Sequence, residues 1–510
     1  MKRFVRSLVM LALLAGCLPV AQTTEPVPTS RAVLTLTPLT DAQVLAQANR
    51  PNFVFILTDD LDATLGTLDY MPKLQTLVTA QGLTMKDFFV SHSLCCPSRS
   101  TILRSQFTHN HGIYRNDPPY GGFEKFYAQK YETSTLATWL QAAGYRTVLL
   151  GKYLNGYPFR EDRAYVPPGW SEWYSAVKGN AFAGFKYTLN ENGTLVDYEE
   201  LGQGGPSQYA TDVLGNKAID FIQRASADGV PFFMYLSTYA PHVPVKAAPR
   251  HVDLFPDIKA PRTVSFNEED VSDKPASIQN DPQLSPEEII ELDEEYRGRL
   301  QVMQAVDEMI AGLVQTLQET GELDNTYIIF TSDNGYHLGQ HRLRNGKGSP
   351  YEEDIRVPFI IRGPGIQAGS TLDGYLIGNV DVAPTIAELA GVIPPDYVEG
   401  RSMAGLLTGK MPAEWRDGYL LEFYGYNDAN ASPDTPPPTP EFIGLRTLDY
   451  LYAEYADGFV ELYDLKTDPY QMDNIASSSD PSLLAHLSAW LHVYAQCAAD
   501  TCRLMDREPK

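Results

Sequence analysis

The segment Asn52-Phe-Val-Phe-Ile-Leu57, followed at once by Thr58-Asp59-Asp60, decides the fold class. Its continuous apolar run indicates a strand that is buried on both faces of a sheet. Three further apolar runs end in polar residues in the same way: 147–150 before Gly151-Lys152, 232–236 before Ala240-Pro241-His242, and 327–330 before Ser332-Asp333-Asn334. Helical patterns separate these runs, so we predict an α/β fold in which a mixed sheet lies between layers of helices.

One helical pattern is especially regular. Apolar residues recur at helical spacing along a single stripe: Leu300, Met303, Val306, Ile310, Leu313, Val314 and Leu317. In sheets covered by helices, ligands bind beyond the carboxyl ends of the strands. We therefore expect the four polar clusters to meet at one edge of the sheet, although hundreds of residues separate them in sequence.

The pattern changes near residue 410 to short alternating strands and a late helix. These segments lie at 418–424, 451–455, 459–463 and about 481–496. They predict a smaller antiparallel subdomain over 410–510, after a main domain over 51–409. Within the main domain, residues 256–290 are rich in Pro, Asp, Glu and Ser and predict a long surface insertion.

The amino end has the features of an export signal. Met1-Lys-Arg-Phe-Val-Arg6 is basic, and the apolar run that follows is too short to span a bilayer. Leu14-Ala15-Gly16-Cys17 resembles the bacterial lipobox, in which the signal is cut before a cysteine that then receives a lipid. We predict a lipoprotein signal over 1–16 and a flexible tether over 17–50, hence an exported, membrane-anchored protein, periplasmic or at the cell surface. A plain secretory peptide is the alternative.

Charge and cysteine content limit the possible partners. The 64 acidic and 40 basic residues give a net charge of −24, which argues against a nucleic-acid partner and requires a local basic pocket for any anionic substrate. In an oxidising compartment, Cys497 and Cys502 are close enough in sequence to form a small disulfide loop. The adjacent pair Cys95 and Cys96 needs another explanation, because neighbouring cysteines rarely satisfy disulfide geometry.

The segment Ser93-Leu94-Cys95-Cys96-Pro97-Ser98-Arg99 carries the most specific signal in the sequence. It resembles the Cys-x-Pro-Ser-Arg signature of type I sulfatases, in which the first cysteine is oxidised after translation to formylglycine. On this resemblance Cys95 is the modified residue and Cys96 is the variable one. The Cys-Cys form looks most like N-acetylglucosamine-6-sulfatases and extracellular heparan 6-sulfatases. Where the family continues Leu-Thr-Gly, this chain has Leu103-Arg104-Ser105.

The resemblance covers most of residues 50–470. It implies an alkaline-phosphatase-like catalytic domain with a smaller C-terminal subdomain, and maturation by a formylglycine-generating enzyme. It also implies hydrolysis of a sulfate monoester, in particular the 6-O-sulfate of a glucosamine-containing saccharide. The aldehyde has a chemical reason: a thiolate that attacked sulfur would leave a stable ester, whereas the second hydroxyl of a hydrated aldehyde can expel sulfate.

Two alternatives to this activity stay open. One is an arylsulfatase or a phosphate or phosphonate ester hydrolase of the same superfamily. The other is a non-catalytic lipoprotein that binds sulfated sugars, with Cys95 unmodified.

Hard oxygen ligands stand at two of the predicted strand ends. Asp59, Asp60, Asp333 and Asn334, together with the modified Cys95, suit one Ca²⁺ ion, whereas a softer metal would require further Cys or His ligands. Taken singly, such residues are more often turns or helix caps. Their joint occurrence beside the cysteine motif favours a metal site, in the arrangement that sulfatases have.

The resemblance also assigns the residues that would bind the sulfate group. Arg99 has the planar fork that suits oxyanions, and Lys152 and Lys347 match lysines that contact sulfate in the family. His242 fits a sulfate-binding histidine that could protonate the departing oxygen, with Lys347 as the competitor for that role. Asn155 stands near the position of a histidine found in many arylsulfatases.

Further candidates for substrate binding follow the cysteine motif and lie in the C-terminal subdomain. His109 and His111 are assigned to the substrate pocket, with capping and filling of the core as the alternative. Glu422 and Tyr424 are placed where they could reach the sugar.

Overall fold

The computed structural model describes residues 50–198, 208–424 and 440–509. The predicted signal peptide, the lipobox Cys17 and the predicted tether up to residue 49 lie outside the described residues. Within the described ranges, none of the helices is long and apolar enough to cross a membrane.

The strands of the described residues form three sheets. In chain order they are β1 (Asn52–Thr58), β2 (Leu83–Met85), β3 (Phe88–Phe89), β4 (Arg146–Gly151), β5 (Glu172–Gly179), β6 (Tyr187–Glu191), β7 (Thr194–Tyr198), β8 (Phe232–Ser237), β9 (Thr326–Ser332), β10 (Phe359–Arg362), β11 (Ser370–Leu372), β12 (Ile377–Gly378), β13 (Gly418–Phe423), β14 (Phe442–Thr447), β15 (Tyr450–Tyr455) and β16 (Val460–Asp464). The main sheet has the order β11-β2-β10-β9-β1-β8-β4-β5-β6-β7 and contains parallel and antiparallel neighbours. The predicted mixed sheet is therefore confirmed.

Helices cover this sheet on both faces. The α-helices of the described residues are α1 (Pro72–Leu77), α2 (Cys95–Arg104), α3 (Thr108–His111), α4 (Gly122–Ala128), α5 (Leu136–Ala142), α6 (Ala210–Asp228), α7 (Ala276–Gln279), α8 (Pro286–Glu319), α9 (Glu352–Ile355), α10 (Val382–Leu389), α11 (Ala404–Leu407), α12 (Pro481–Tyr494) and α13 (Cys502–Met505). The long helix α8 begins at a capping box, in which Ser285 and Glu288 each accept a hydrogen bond from the other's backbone N–H.

Strand β1 shows how the sheet is buried. Phe53, Phe55 and Leu57 pack into one core together with residues of α2, α5 and α10. Val54 and Ile56 point the other way and pack with α6 and α8, where the predicted apolar stripe is fully buried. Alternate residues of one strand therefore serve two cores, which explains why the sequence of β1 is apolar throughout.

The four strands that precede the polar clusters are neighbours in the sheet. Strands β9, β1, β8 and β4 are adjacent and parallel, so their carboxyl ends share one edge. Backbone hydrogen bonds continue past the strand ends, from Asp333 N to Thr58 O at 3.1 Å and from Lys152 N to Ser237 O at 2.9 Å. The prediction that these clusters meet at one edge is confirmed.

The C-terminal sheet is antiparallel and packs under helix α12. Its order is β13-β14-β15-β16, and the sequence pattern missed β14. Buried side chains join it to the main body, because the hydroxyl of Tyr351 donates to Glu461 at 2.8 Å and Arg446 Nε donates to Glu352 at 2.6 Å. The small antiparallel sheet that the sequence predicts is present.

The insertion at 256–290 is more firmly anchored than the sequence suggests. Lys274 is fully buried and donates to the carboxylate of Asp273 and to the carbonyl of Met472. Glu268 is also buried and bonds to His341 Nδ1 at 2.7 Å. A buried charge is tolerated only when it is paired, so these contacts tie the insertion to the loop that follows β9, through His341, and to the segment after β16, through Met472.

Candidate active site

Cys95 lies at the start of helix α2, directly above the carboxyl end of β1. Its Sγ atom is 3.4 Å from Asp59 Oδ1 and 3.8 Å from Asp60 Oδ1. One ligand atom each from Asp59, Asp60, Cys95 and His242 lie within 4.8 Å of one another. The neighbouring Cys96 belongs to the hydrophobic core, so the two adjacent cysteines have different surroundings.

The turn after β1 holds Asp60 in an uncommon conformation. Its φ angle is 66°, in the left-handed region that most non-glycine residues avoid. Asp60 N–H donates to Asp333 Oδ1 at 3.1 Å, and Asn334 Nδ2 donates to Asp60 Oδ1 at 2.7 Å. The polar residues after β1 and β9 therefore fix each other, although more than 270 residues separate them.

Arg299, which the sequence analysis did not assign to the site, supports the same turn from below. It is fully buried, and it donates to the main-chain carbonyl of Asp60 and, at 3.4 Å, to that of Pro241. A signal for it existed in the sequence: Arg299 stands four residues before Met303, on the apolar stripe of α8. A charged residue on a buried helix face needs partners, and here the partners are loops of the site.

Arg99 is fixed within the site by several acceptors. Its Nε donates to Asp333 Oδ2 at 2.7 Å, and its Nη1 donates to Ser237 Oγ at 2.6 Å and to the carbonyl of Lys152 at 3.0 Å. Its buried Nη2 has no hydrogen-bond partner among the described residues and lies 3.9 Å from Asp59. That N–H group is a preformed donor for an oxyanion next to Asp59.

Two lysines supply positive charge around the acids. Lys152 Nζ donates to Asp59 Oδ2 at 2.6 Å, and Lys347 Nζ contacts the Asp60 carboxylate and lies 2.8 Å from Cys95 Sγ. Burial by itself would raise the pKa of Asp59, but the charges of Lys152 and His242 outweigh it and hold the pKa below its ordinary value. Asp59 is therefore ionised at neutral pH.

His242 closes the cluster on the solvent side. Its Nε2 is 3.6 Å from Asp60 Oδ2, its Nδ1 is bonded to the carbonyl of Val243, and its side chain is 26% exposed. The ring of Phe182 lies 4.6 Å from the His242 ring and 5.4 Å from Lys152 Nζ. Phe182 had no signal in the sequence, because it comes from the distant β5–β6 connection.

The donor set fits a hard divalent cation. Asp59 and Asp60 provide carboxylate oxygens, and Asn334 adds a buried Oδ1 that has no hydrogen-bond partner among the described residues. An unsatisfied amide oxygen beside two carboxylates is the ligand chemistry that Ca²⁺ prefers. Asp333 adjoins this group, but both of its oxygens already accept hydrogen bonds, from Asp60 N–H and from Arg99.

The predicted substrate residues have contacts of other kinds. The main-chain carbonyl of Asn155 accepts a hydrogen bond from Phe123 N–H at 2.7 Å, while its buried side-chain Oδ1 has no hydrogen-bond partner among the described residues. His109 bonds to Glu422 at 2.7 Å and to the carbonyl of Cys497 at 2.8 Å, and His111 bonds to the Thr101 hydroxyl and to Ile113 N–H. Both ring nitrogens of each histidine are thus used inside the protein, which favours the capping and filling alternative for these two residues.

Glu422 and Tyr424 are part of the same network. Glu422 is buried and accepts hydrogen bonds from Thr108 N–H and from the hydroxyl of Tyr424, both at 2.9 Å. The expected disulfide joins Cys497 and Cys502 next to it. These contacts connect α3 to the C-terminal sheet.

Comparison with known proteins agrees with this geometry. Residues 51–392 match the family model described as Sulfatase, and residues 339–493 match the one described as N-sulphoglucosamine sulphohydrolase, C-terminal. N-acetylglucosamine-6-sulfatase of Homo sapiens is 36% identical over 487 residues, which cover 90% of this chain and 87% of that protein. Arylsulfatase of Volvox carteri is 35% identical over 503 residues, which cover 90% of this chain and 76% of that protein.

Solved structures have the same fold. One protein, in complex with its substrate D-glucosamine-2-N,6-O-disulfate, superposes with a TM-score of 0.71 and 25% identity, covering 87% of this chain and 97% of that chain. A phosphonate monoester hydrolase from Silicibacter pomeroyi superposes with a TM-score of 0.67 and 22% identity, covering 90% and 96%, and shows the common fold alone. The sheet edge, the acid cluster and the cysteine helix define a hydrolase of the alkaline-phosphatase-like fold.

Within that class the family is settled. The chain belongs to the sulfatase family, whose named members are sulfuric ester hydrolases.

Proposed function

We propose that this sulfatase hydrolyses the 6-O-sulfate of a glucosamine-containing saccharide, using a formylglycine derived from Cys95 and one Ca²⁺ ion. The observation that carries the proposal is the position of Cys95 Sγ within 4.8 Å of ligand atoms of Asp59, Asp60 and His242. The similarity to N-acetylglucosamine-6-sulfatases and to the protein solved with a 6-O-sulfated glucosamine supports the choice of sugar.

The absent groups would be held by residues already in place. Bound by Asp59, Asp60, Asp333, Asn334 and the modified Cys95, the cation would neutralise the sulfuryl oxygens, and the hydrated aldehyde would supply the attacking hydroxyl. Side chains of the protein itself would stabilise the charge of the sulfuryl group and donate the proton.

Preformed donors would stabilise the charge of the sulfuryl group. Arg99 Nη2 has an unpaired N–H 3.9 Å from Asp59, the ammonium group of Lys152 contacts Asp59, and that of Lys347 contacts Asp60. Donors held by the protein in a site shielded from water stabilise a developing charge more than donors in water do. Arg99 cannot rotate away, because Asp333 and Ser237 hold its other nitrogens.

We assign proton donation to His242 and charge neutralisation to Lys347. The leaving alcohol oxygen needs a proton, and His242 is the partly exposed member of the cluster, so a substrate can reach its Nε2 from solvent. Lys347 instead contacts Asp60 and Cys95, so its positive charge would lie next to the attacking residue and neutralise the sulfate group there.

The substrate assignment is tested by comparing three esters. Purified protein is assayed side by side with N-acetylglucosamine-6-sulfate, an aryl sulfate and an aryl phosphate, and a Cys95→Ala variant reports background hydrolysis. We expect the highest kcat/KM for the sugar sulfate. A strong preference for the phosphate would favour the phosphate or phosphonate hydrolase alternative, and a strong preference for the aryl sulfate would favour the arylsulfatase.

The modification of Cys95 is tested by mass spectrometry of the tryptic peptide of residues 87–99. Conversion to formylglycine removes one sulfur and two hydrogens from the peptide and adds one oxygen. The test also shows whether Arg104-Ser105, in place of the family's Thr-Gly, permits recognition by the formylglycine-generating enzyme. An unconverted peptide from the native host would favour the non-catalytic sugar-binding lipoprotein.

The cellular location and the domain division are proposed from the sequence. A lipid on Cys17 would hold the catalytic domain (51–409) and the C-terminal subdomain (410–510) outside the cytoplasm, through the tether. Fractionation of cells that express the wild type or Cys17→Ala measures this anchoring. We expect the wild type in the membrane fraction and the variant in the soluble exported fraction.

A further inference from the structure

Phe182 is an aromatic side chain of the site to which no role has been assigned so far. The centroid of its half-buried ring is 4.6 Å from that of the His242 ring and 5.1 Å from that of the Tyr239 ring. Tyr239 is buried and belongs to the same turn after β8 as His242, whose N–H donates a hydrogen bond to the Tyr239 carbonyl at 3.2 Å. The phenyl ring therefore packs on this turn, directly against the proposed proton donor.

The imidazole of His242 has only one hydrogen bond among the described residues. Nδ1 is bonded to the Val243 carbonyl, whereas Nε2 lies 3.6 Å from Asp60 Oδ2, which is too far for a hydrogen bond. A ring that is held at one nitrogen can pivot about that bond, so the direction of the other nitrogen depends on the group that packs against the ring. Phe182 is the aromatic side chain in that position.

The same phenyl ring lies near Lys152, but this lysine is fixed without it. Lys152 Nζ is 5.4 Å from the centroid of the Phe182 ring, and it donates a hydrogen bond to Asp59 Oδ2 at 2.6 Å. The ammonium group is also buried, so a short charged hydrogen bond sets its position. We therefore expect loss of the phenyl ring to affect His242 more than Lys152.

The connection between β5 and β6 that carries Phe182 is itself anchored. Asn180 Oδ1 accepts a hydrogen bond from Ala183 N–H at 3.1 Å, which closes the turn that contains Phe182. Gly184 has a φ angle of 77°, and a Cβ atom at this residue would lie 2.2 Å from the ring of Tyr209. This close approach packs the connection against the start of α6. The phenyl ring is therefore presented by a fixed backbone, as a positioning group requires.

We propose that Phe182 is a positioning residue that holds the His242 ring so that Nε2 faces the leaving oxygen of the sulfate ester. The proposal rests on the proposed function, because it takes His242 as the proton donor. As the attacking hydroxyl bonds to sulfur, the bond from sulfur to the leaving oxygen breaks, its electron pair stays on that oxygen, and His242 Nε2 gives it a proton. A misdirected donor loses much of its effect, so Phe182 should act on kcat.

The test is a double-mutant cycle of Phe182→Leu and His242→Ala, assayed with N-acetylglucosamine-6-sulfate. In the wild-type background, we expect Phe182→Leu to lower kcat about two- to tenfold with little change in KM, as for the loss of one aromatic contact. In the His242→Ala background, the same change should have almost no effect on kcat, because the side chain that Phe182 positions is absent. Phe182→Tyr keeps the ring and should retain most of the wild-type kcat.

Phe185→Leu is the matched control for this cycle. Phe185 lies in the same connection and is also half-buried, but its ring packs on that of Tyr209, with centroids 5.2 Å apart, instead of on His242. This variant should keep the wild-type kcat. Thermal unfolding followed by circular dichroism checks that every variant is folded at the assay temperature.

The proposal is overturned by an unchanged kcat in Phe182→Leu, or by an equal loss of kcat in both backgrounds, which would indicate a structural role. A higher KM with unchanged kcat would overturn it too, because it would indicate that Phe182 contacts the substrate. An unchanged kcat in His242→Ala alone would reject His242 as the proton donor and Phe182 as its positioning residue.

The proposed function fails in a different way. A wild-type protein that does not hydrolyse N-acetylglucosamine-6-sulfate rejects the proposed substrate, and the cycle is then measured with the ester that it does hydrolyse. Hydrolysis of the sugar sulfate with equal losses in both backgrounds rejects the role of Phe182 and leaves the proposed function standing. A protein that hydrolyses none of the three esters rejects both proposals.

Discussion

The guanidinium group of Arg299 donates a hydrogen bond to the main-chain carbonyl of Asp60, the residue with a left-handed backbone at the end of β1. The same side chain reaches the carbonyl of Pro241, next to His242, and lies 4.3 Å from the ring of Tyr336. One residue of α8 thus contacts the loops that follow β1, β8 and β9. We regard Arg299 as a positioning residue for the acid cluster.

Replacing Arg299 should therefore weaken cation binding as well as turnover. In Arg299→Met the carbonyls of Asp60 and Pro241 lose their donor, at a cost of about 1–3 kcal/mol for each buried group. We expect at least about a tenfold loss of Ca²⁺ affinity by titration calorimetry, together with a lower kcat. Arg299→Lys should recover part of both.

Arg297→Met is the matched control for this prediction. Arg297 lies on the same helix and donates to the carbonyl of Ile258, away from the acid cluster. If both methionine variants bind Ca²⁺ as the wild type does, Arg299 has no positioning role.

Arg99→Met should destabilise the protein strongly. It would leave the buried carboxylate of Asp333 with only the more distant Lys152, whose Nζ is 4.0 Å away, and breaking such a buried pair typically costs about 3–5 kcal/mol. Urea unfolding monitored by circular dichroism measures the change. Lys86→Met removes the exposed pair with Asp373 and should cost less than about 1 kcal/mol. Equal losses in the two variants would contradict the prediction.

The ion pair of His109 with Glu422 should make the free energy of unfolding fall as the pH becomes alkaline. Burial opposes the charged form, but Glu422 outweighs it and raises the pKa of His109 from 6.5 to about 9. A group whose pKa is raised on folding gives its full stabilisation at pH values below 6.5, its pKa in the unfolded chain. This contribution is lost as the pH rises through 9, its pKa in the folded protein. Between about pH 6 and pH 10 the free energy of unfolding should fall more in the wild type than in His109→Gln, by up to about 3 kcal/mol.

The matched control for this pH dependence is His486→Gln, which removes a histidine whose side chain is 38% exposed. It should keep the wild-type dependence on pH. A wild-type curve parallel to that of His109→Gln would show that the His109–Glu422 pair does not titrate as expected.

Removal of Ca²⁺ should lower thermal stability. A ligand that binds only the folded state stabilises it by about 2.7 kcal/mol at one hundred times its Kd. We expect EGTA to lower the Tm of the wild type and excess Ca²⁺ to restore it. In Asp60→Asn the Tm should respond much less to either addition, because this change removes a carboxylate of the proposed site. An unchanged wild-type Tm at every Ca²⁺ concentration would contradict the metal assignment.

The sequence was sufficient to predict those site residues that directly follow a strand. Asp59, Lys152, His242 and Asp333 each come shortly after a buried apolar run, and parallel neighbours bring such positions to one edge. The cysteine motif then identified the residue that faces them. Strand β14 was missed because its six residues, Phe442 to Thr447, include a glycine, an arginine and a threonine and only three apolar side chains, which weakens the apolar pattern.

Other features depend on tertiary contacts that no local pattern shows. Phe182 reaches His242 from the connection between β5 and β6, and the ammonium group of Lys274 is buried among Asp273, Glu268 and the carbonyl of Met472. Whether His109 faces a ligand or the protein was likewise undecidable from sequence, since its partners Glu422 and Cys497 are more than 300 residues away.

The buried contact between Tyr351 and Glu461 limits how this protein can be engineered. Tyr351 follows Lys347 by only four residues, so the small sheet steadies the segment that brings the ammonium group to Cys95. A chain shortened to residues 51–409 would lose that support, and a chimera built from two relatives would have to match both sides of the contact. In a chimera, residues 51–409 and the C-terminal residues should therefore come from the same relative.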